Sequence, residues 1–309
     1  PLWREVEYHS RLQISDVRQL ADSVTFKDAG HILGSAMIEI EISQSLKILF
    51  TGDLGNSPAP LLKDTEPAGE VDYIIMESAY GDRNHEPKEE RLAKFERVIN
   101  DIIGKGGTLV IPSFSVDRTQ ILLYELNNLV ETGRVKSVPV FLDSPLASKA
   151  TEVYKANTEL FNDKVRDQIR RGDDIFAFPK LKFTVASWES REIEKTPGPK
   201  IILAGSGMSM GGRVVGHEAH YLPHENNTIL LVGYQSAGSL GRELVEGAKK
   251  VRINGENVHV KAKIETLYGY SAHKDSDGLV DFVATARLRQ GYGGQAHNEL
   301  KKVFVAMGE

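Results

Sequence analysis

Between residues 108 and 232, short wholly apolar runs alternate with stretches of helical periodicity, and few folds accommodate that order. The run Thr108-Leu109-Val110-Ile111 leads through Pro112 to a helix expected from about Asp117 to Val130. Val138-Pro139-Val140-Phe141-Leu142 leads to another from about Pro145 to Phe161. Lys200-Ile201-Ile202-Leu203-Ala204 is followed by a glycine-rich loop, a helix near Arg213 to Tyr221, and the run Thr228-Ile229-Leu230-Leu231-Val232. A strand that is apolar on both faces must be covered on both faces, and helical crossovers join parallel neighbours. This part of the chain is therefore expected to be an α/β domain built on a parallel, doubly covered sheet.

The flanking segments have a different texture. Residues Ala36 to Ile42 alternate as a half-exposed strand does, and Leu46 to Phe50 supplies a hairpin partner. Tyr73-Ile74-Ile75-Met76 reads as a further buried strand. From Glu86 to Ile103 the apolar positions Leu92, Phe95, Val98, Ile99, Ile102 and Ile103 recur at helical spacing, and Gly104, Gly106 and Gly107 end the helix. Later come a strand-like stretch within Val258 to Leu267, a helix from Lys274 to about Ala284, and a strand from Lys302 to Ala306. Arg287 to Ala296 reads as a flexible polar loop, and no internal repeat is present.

Four short stretches place ionisable side chains beside small residues: Asp28-Ala29-Gly30-His31, Thr51-Gly52-Asp53, Glu77-Ser78-Ala79-Tyr80-Gly81 and Ser271-Ala272-His273. Asp53 and Glu77 follow buried strands, so their carboxylates project from strand ends toward a common crevice. The 309 residues contain no cysteine, which leaves His, Asp and Glu as the strong metal ligands. Carboxylates at strand ends, one histidine able to bind metal and another able to move protons suggest a metal-assisted hydrolase. No apolar run approaches the length of a membrane span and no export signal is evident, so a cytoplasmic location is expected. The formal charge of −5 argues against indiscriminate wrapping of nucleic acid while allowing a local basic groove.

Each singled-out residue also has a plainer reading. Asp53 fits an ordinary turn, His31 a hydrogen-bonded core or surface group, and His273 the first turn of a helix capped by Ser271. His220 and His224 share a spacing of four, but Pro223 breaks any helix between them. The loop Gly205-Ser206-Gly207-Met208-Ser209-Met210-Gly211-Gly212 lies between strand and helix, where backbone N–H groups cradle phosphate. It fails the dinucleotide fingerprint by one position, because Met210 stands where glycine belongs. Arg118 is either a phosphate-binding fork or a solvated residue of a first helical turn.

Taken in order, DAGHILGSA, FTGDLG, MESAYGDR, IPSFSVDRTQILL, AGSGMSMGGR, VGYQSAGSLGREL and GYSAHKD resemble the β-CASP branch of the metallo-β-lactamase superfamily, from about residue 8 to 309. That branch includes the endonuclease subunit of the cleavage and polyadenylation specificity factor. The resemblance implies a partial metallo-β-lactamase αββα sandwich, residues 1–81 and 271–309, interrupted by an inserted β-CASP α/β domain with a parallel sheet, residues 82–270. The active site would lie in the cleft between them.

The resemblance further implies a zinc-dependent endoribonuclease that hydrolyses phosphodiester bonds of single-stranded RNA in processing or decay. His31 and Asp53 would bind metal, with Asp53 bridging two zinc ions. His273 would protonate the leaving oxygen while Glu77 holds and charges it. Arg118, Ser206, Gly207 and Met208 would contact the RNA, and a homodimer is compatible with the family's habits. RNA rather than DNA follows from the resemblance alone.

Two departures temper these implications. The family's His-x-His-x-Asp-His loop precedes its DAGH motif, whereas only His9 lies before His31, so the chain reads as a fragment expected to be inactive by itself. Met307-Gly308-Glu309 also stands where relatives commonly carry His-Gly-Glu, and a thioether is a poor ligand for hydrolytic zinc. The alternative reading is a non-catalytic RNA-binding or scaffold paralogue of the same fold. A small-molecule hydrolase would leave the large insertion unexplained.

Overall fold

The computed structural model describes residues 5–13, 22–43, 46–286 and 300–308. The chain divides into two compact units, one comprising Pro1–Asn84, Leu160–Asp163 and Ala272–Glu309 and the other His85–Glu159 and Lys164–Ser271. Secondary structure begins with β1 (Arg11–Leu12), β2 (Ser23–Asp28), β3 (Ala36–Ser43), β4 (Leu46–Phe50) and β5 (Tyr73–Ser78). Then come α1 (Lys88–Lys105), β6 (Thr108–Pro112), α2 (Arg118–Glu131), β7 (Val140–Asp143), α3 (Pro145–Ala156) and α4 (Asp163–Arg170). The middle of the chain continues with β8 (Leu181–Phe183), α5 (Ser187–Lys195), β9 (Lys200–Ala204), α6 (Gly212–Tyr221), β10 (Thr228–Val232) and α7 (Leu240–Val245). It closes with β11 (Lys250–Ile253), β12 (Glu256–His259), β13 (Lys263–Leu267), α8 (Ser276–Ala284) and β14 (Lys302–Gly308).

In the first unit the strands form a six-stranded sheet of order β1-β2-β3-β4-β5-β14. It is antiparallel from β1 to β4 and parallel across β4, β5 and β14. Across its surface Glu39 on β3 pairs with Lys27 of β2 and Lys47 of β4, at 3.0 and 3.3 Å. Met37, Leu49, Leu54, Ile74 and Met76 pack with Leu279 and Phe282 of α8 to form this unit's core. Two strands therefore end over a packed base that α8 helps to build, and Asp53 and Glu77 lie at those ends.

In the second unit the sheet order is β13-β10-β6-β9-β7-β8 and every pair is parallel. All residues of β6, β9 and β10 are buried, as the apolar runs that follow Thr108, Lys200 and Thr228 require. The α/β class expected from the sequence is the one observed, and the whole is consistent with an interrupted metallo-β-lactamase sandwich. Inside this unit Arg91 donates to Glu125 at 2.8 Å and to the Gly269 carbonyl at 3.1 Å, and Tyr270 donates its hydroxyl to the same carboxylate. A buried carboxylate is tolerated here because an arginine and a phenol satisfy it.

Several boundaries differ from expectation for local reasons. The helix expected to reach Phe161 ends at Ala156, with Asn157 as its cap. The helix expected to start at Lys274 starts at Ser276, because Asp275 rather than Ser271 caps it, accepting from the Gly278 N–H at 3.0 Å. His273 therefore lies ahead of the helix. The α6 helix stops at Tyr221, before Pro223, which leaves His220 and His224 without a shared helical face. The loop expected at Arg287 to Ala296 lies outside the described residues. Among the described residues no helix is long and apolar enough to cross a membrane.

Candidate metal centre and catalytic dyad

The site in the first unit is assembled by backbone bonds between three loops. After β4, Gly52 turns with φ +53° and exposes Asp53, while the next residue, Leu54, is fully buried. The Leu54 N–H donates to Glu77 Oε1, and the Leu54 carbonyl accepts from the Lys274 N–H at 3.0 Å. Gly55 donates to the Ala29 carbonyl at 2.8 Å, and Asn56 donates to the Ala272 carbonyl at 2.7 Å. Thr65 completes the seam, its hydroxyl lying 3.0 Å from the carbonyls of both Ala29 and Gly55. The loops bearing His31, Asp53 and His273 are thus fixed to one another by main chain.

That seam leaves no room at Gly55, where a Cβ would stand 2.0 Å from the Gly30 carbonyl oxygen. Gly55→Ala must separate the Asp53 loop from the His31 loop. The expected result is a loss of metal affinity by at least about tenfold, the scale seen when the supports of metal ligands are disturbed. Zinc titration against a competing chelator measures it, and unchanged affinity would show that the seam does not set the site.

The carboxylate of Glu77 is fully buried at the end of β5, and its Oε2 lies 2.8 Å from His273 Nδ1. With that nitrogen held by a carboxylate, the imidazole has a fixed orientation and its Nε2 edge is the reactive one. The His31 and His273 rings lie 4.5 Å apart, centroid to centroid, tilted by 52°, and Tyr80 stands 6.2 Å from the His273 ring. Burial, and next the neighbouring His273, hold the His31 imidazole below the usual histidine pKa. A neutral imidazole is the form that binds metal.

One ligand atom each from His31, Asp53 and His273 lies within 4.8 Å of the other two. His31 Nε2 stands 3.8 Å from Asp53 Oδ2, too far for a hydrogen bond. Ligand bonds near 2.0–2.2 Å to one tetrahedral zinc place neighbouring donors roughly 3.3–3.6 Å apart. Among the described residues His31 Nδ1 is buried without a hydrogen-bond partner, a cost that a structural histidine would avoid. Two imidazoles and a carboxylate without thiolate therefore fit a metal, and three donors suffice for one ion rather than two.

The remaining candidates lie in the second unit. Arg118 is 7% exposed, and its Nη1 donates to the Val232 carbonyl at the end of β10 at 3.0 Å. In the glycine-rich loop, Ser206 N–H donates to Gly211, Ser209 N–H to the Ser206 carbonyl and Met210 N–H to Ser206 Oγ. Those donors are spent inside the loop, which reduces what it offers a phosphate. Gly207 is buried, with Phe114 against it, and Ser206 and Met208 are half-buried. Met307 lies on β14, whose register with β5 is irregular between Ala306 and Gly308, and its side chain is outside what is described. The supporting roles of Leu54, Gly55 and Thr65 escaped sequence reasoning, since they act through backbone and proximity.

The fold is that of an α/β protein, and its first unit carries a histidine–carboxylate cluster with the donor set of a metal site. The chain is a member of the β-CASP family of metallo-β-lactamase-fold proteins. The Beta-Casp domain model matches residues 119–244. The chain is 34% identical to a ribonuclease of Thermus thermophilus over 280 residues, 91% of this chain and 63% of that protein. It is 32% identical to the transcription termination factor FttA of Thermococcus kodakarensis over 323 residues, covering 98% of this chain and 49% of the factor. An RNase J-like protein of Methanocaldococcus jannaschii is 34% identical over 278 residues. The chain thus spans from 49% to 63% of the length of these relatives.

Proposed function

We propose that the protein carrying this chain is a zinc-dependent endoribonuclease acting on single-stranded RNA. The observation that carries the reading is the Glu77–His273 pair, 2.8 Å apart, beside the donors of His31 and Asp53. Relatives named as ribonucleases support RNA as the substrate. In this reading residues 1–81 and 271–309 form the metallo-β-lactamase part and residues 82–270 the insertion.

His31 and Asp53 would hold metal, the one through a neutral imidazole and the other through its exposed carboxylate. When bound, zinc lowers the pKa of water and neutralises charge on the phosphoryl oxygens. The protein's own part is proton management and positioning. Glu77 accepts the Nδ1 proton of His273 in a hydrogen bond and favours the charged imidazole, so that Nε2 can deliver a proton to the leaving 5′ or 3′ oxygen. Ser206, Gly207 and Met208 would flank the strand. Arg118, buried and bonded to the Val232 carbonyl, would act beneath them by holding the end of β10.

A second reading follows from the donor trio itself. His273 Nε2 with a carboxylate on Nδ1 has the arrangement of a metal ligand supported from behind. His273 is then a third zinc ligand rather than the acid.

The test is cleavage of an end-labelled single-stranded RNA with zinc by the protein carrying this chain, wild type against Asp53→Ala. Internal cuts that disappear together with bound zinc are expected. RNA binding without cleavage in the wild type would overturn the nuclease and leave a scaffold.

A further inference from the structure

In the sheet of the second unit, the chain leaves β6 and steps past β9 to reach β7, and it leaves β9 in the other direction, past β6, to reach β10. Right-handed crossovers that run in opposite directions carry their connections to opposite faces of the sheet. The loops that follow β6 and β9 therefore part at the carboxyl ends of two neighbouring strands, the place where open parallel sheets take their ligands. The first loop is Ser113 to Asp117 and the second Gly205 to Gly211.

Phe114 stands in the first loop with 44% of its surface exposed, whereas Phe95, Phe141, Phe176 and Phe178 of the same unit are buried. The loop holds it there by bonds on both sides. Ser113 N–H donates to the Ala204 carbonyl at 2.9 Å, Thr119 Oγ1 lies 2.7 Å from the Phe114 carbonyl, and Gln120 Nε2 donates to the Ser115 carbonyl at 3.2 Å. Asp117 closes the loop in a γ-turn at φ +65° and ψ −63°, with the Arg118 N–H on the Val116 carbonyl at 2.8 Å. An aromatic group fixed in this way forgoes burial, and it loses little freedom when a ligand settles on it.

The ring rests against the second loop. A Cβ on Gly207 would stand 2.7 Å from Phe114 Cδ2, and Gly207 is not in the left-handed region, so what glycine supplies there is room for the ring. The remaining neighbours are hydroxyls: Ser115 Oγ lies 3.3 Å from Ser144 Oγ, and the two lie 3.4 and 3.7 Å from a Cβ built on Gly205. An aromatic ring amid hydroxyls and peptide suits a nucleobase, which brings a π face and polar edges, better than an apolar side chain, which needs a continuous apolar lining. We propose that Phe114 is a positioning residue for the RNA strand, its ring the platform on which one base stacks. The assignment rests on the RNA reading above. Stacking accepts every base, so it fixes where a nucleotide sits without selecting a sequence.

The test is the affinity of the protein carrying this chain for a labelled, single-stranded oligoribonucleotide, read by fluorescence anisotropy with chelator present so that the strand stays intact. Phe114→Ala is expected to weaken binding by about tenfold, within the range for one base lost from an aromatic platform. Phe114→Leu should weaken it nearly as much, because it refills the space beside Gly207 without a π face, and Phe114→Tyr should bind as the wild type does. Oligonucleotides with one abasic residue at successive positions then identify the stacked base. At one position the wild type should lose the same factor, and Phe114→Ala should lose nothing further. Losses that multiply independently at every position would mark the ring as structural and overturn the proposal. So would undiminished binding by Phe114→Ala and Phe114→Leu, which would leave RNA as the ligand. Absence of RNA binding by the wild type would overturn the RNA reading and this assignment together.

Discussion

His273→Ala is expected to slow RNA cleavage by about 10²–10⁴-fold, the range contributed by a positioned general acid, while bound zinc stays at the wild-type level. That loss corresponds to about 3–5 kcal/mol of transition-state stabilisation. The expectation rests on the 2.8 Å contact between His273 Nδ1 and Glu77, which engages one nitrogen with the protein and leaves Nε2 for the proposed proton transfer. Added imidazole should restore part of the rate, because a diffusing acid can replace a missing proton donor. Measuring metal content beside the rate separates the two readings of this residue. If zinc leaves together with activity, His273 is a ligand and the acid must be sought elsewhere.

Asp143→Ala is expected to cost about 3–5 kcal/mol of stability, the usual consequence of removing one member of a buried charged network. Asp143 has no exposed surface. Its Oδ1 accepts from Thr184 at 2.7 Å and from Arg213 at 2.6 Å, and its Oδ2 takes Ser190 at 2.5 Å and His217 at 2.7 Å. Removal leaves a half-buried guanidinium without its counter-charge and a buried imidazole without its hydrogen-bond partner. For a unit of this size the melting temperature should fall by roughly 6–20 °C, and a fall of a degree or two would show that the network is replaceable. Burial raises the carboxyl, but bonds from His217, Ser190, Thr184 and Arg213 together hold it at about 2. A carboxyl depressed on folding contributes stability that is complete above its unfolded value near ~3.9. That contribution is lost as pH falls from there through about 2. Asp143→Asn should therefore flatten the acid limb of the stability profile.

Much of this architecture was legible because chemistry and periodicity agreed. The runs at Thr108, Lys200 and Thr228 admit little but buried parallel strands, and all three are central in the observed sheet. The segment that became α5, Ser-Trp-Glu-Ser-Arg-Glu-Ile-Glu-Lys, was not legible: it buries only Ile193 and carries no apolar stripe. β8 and β12 are too short or too polar to announce themselves, and exist because β7 and β11 give them a ladder to join. The helix cap near His273 was misplaced for a related reason. Ser271 and Asp275 are both good caps by residue type, and the backbone link of Lys274 to Leu54 ties down the intervening residues. At the cluster, the side chains His31, Asp53, Glu77 and His273 have signatures in sequence. The main-chain bonds that bring them together have none.

Leu54 joins two requirements that are usually separate. Its side chain is fully buried in the core of the first unit, and its peptide bonds to Glu77 on one side and to Lys274, next to His273, on the other. A change of side chains in the core beneath it would be transmitted to the Glu77–His273 pair as displacement, whatever it did to stability. A library selected for heat resistance at Leu49, Ile74 or Leu279 would thus drift in turnover without any change of a reacting group. Melting temperature and catalytic rate would become uncorrelated traits in that part of the protein.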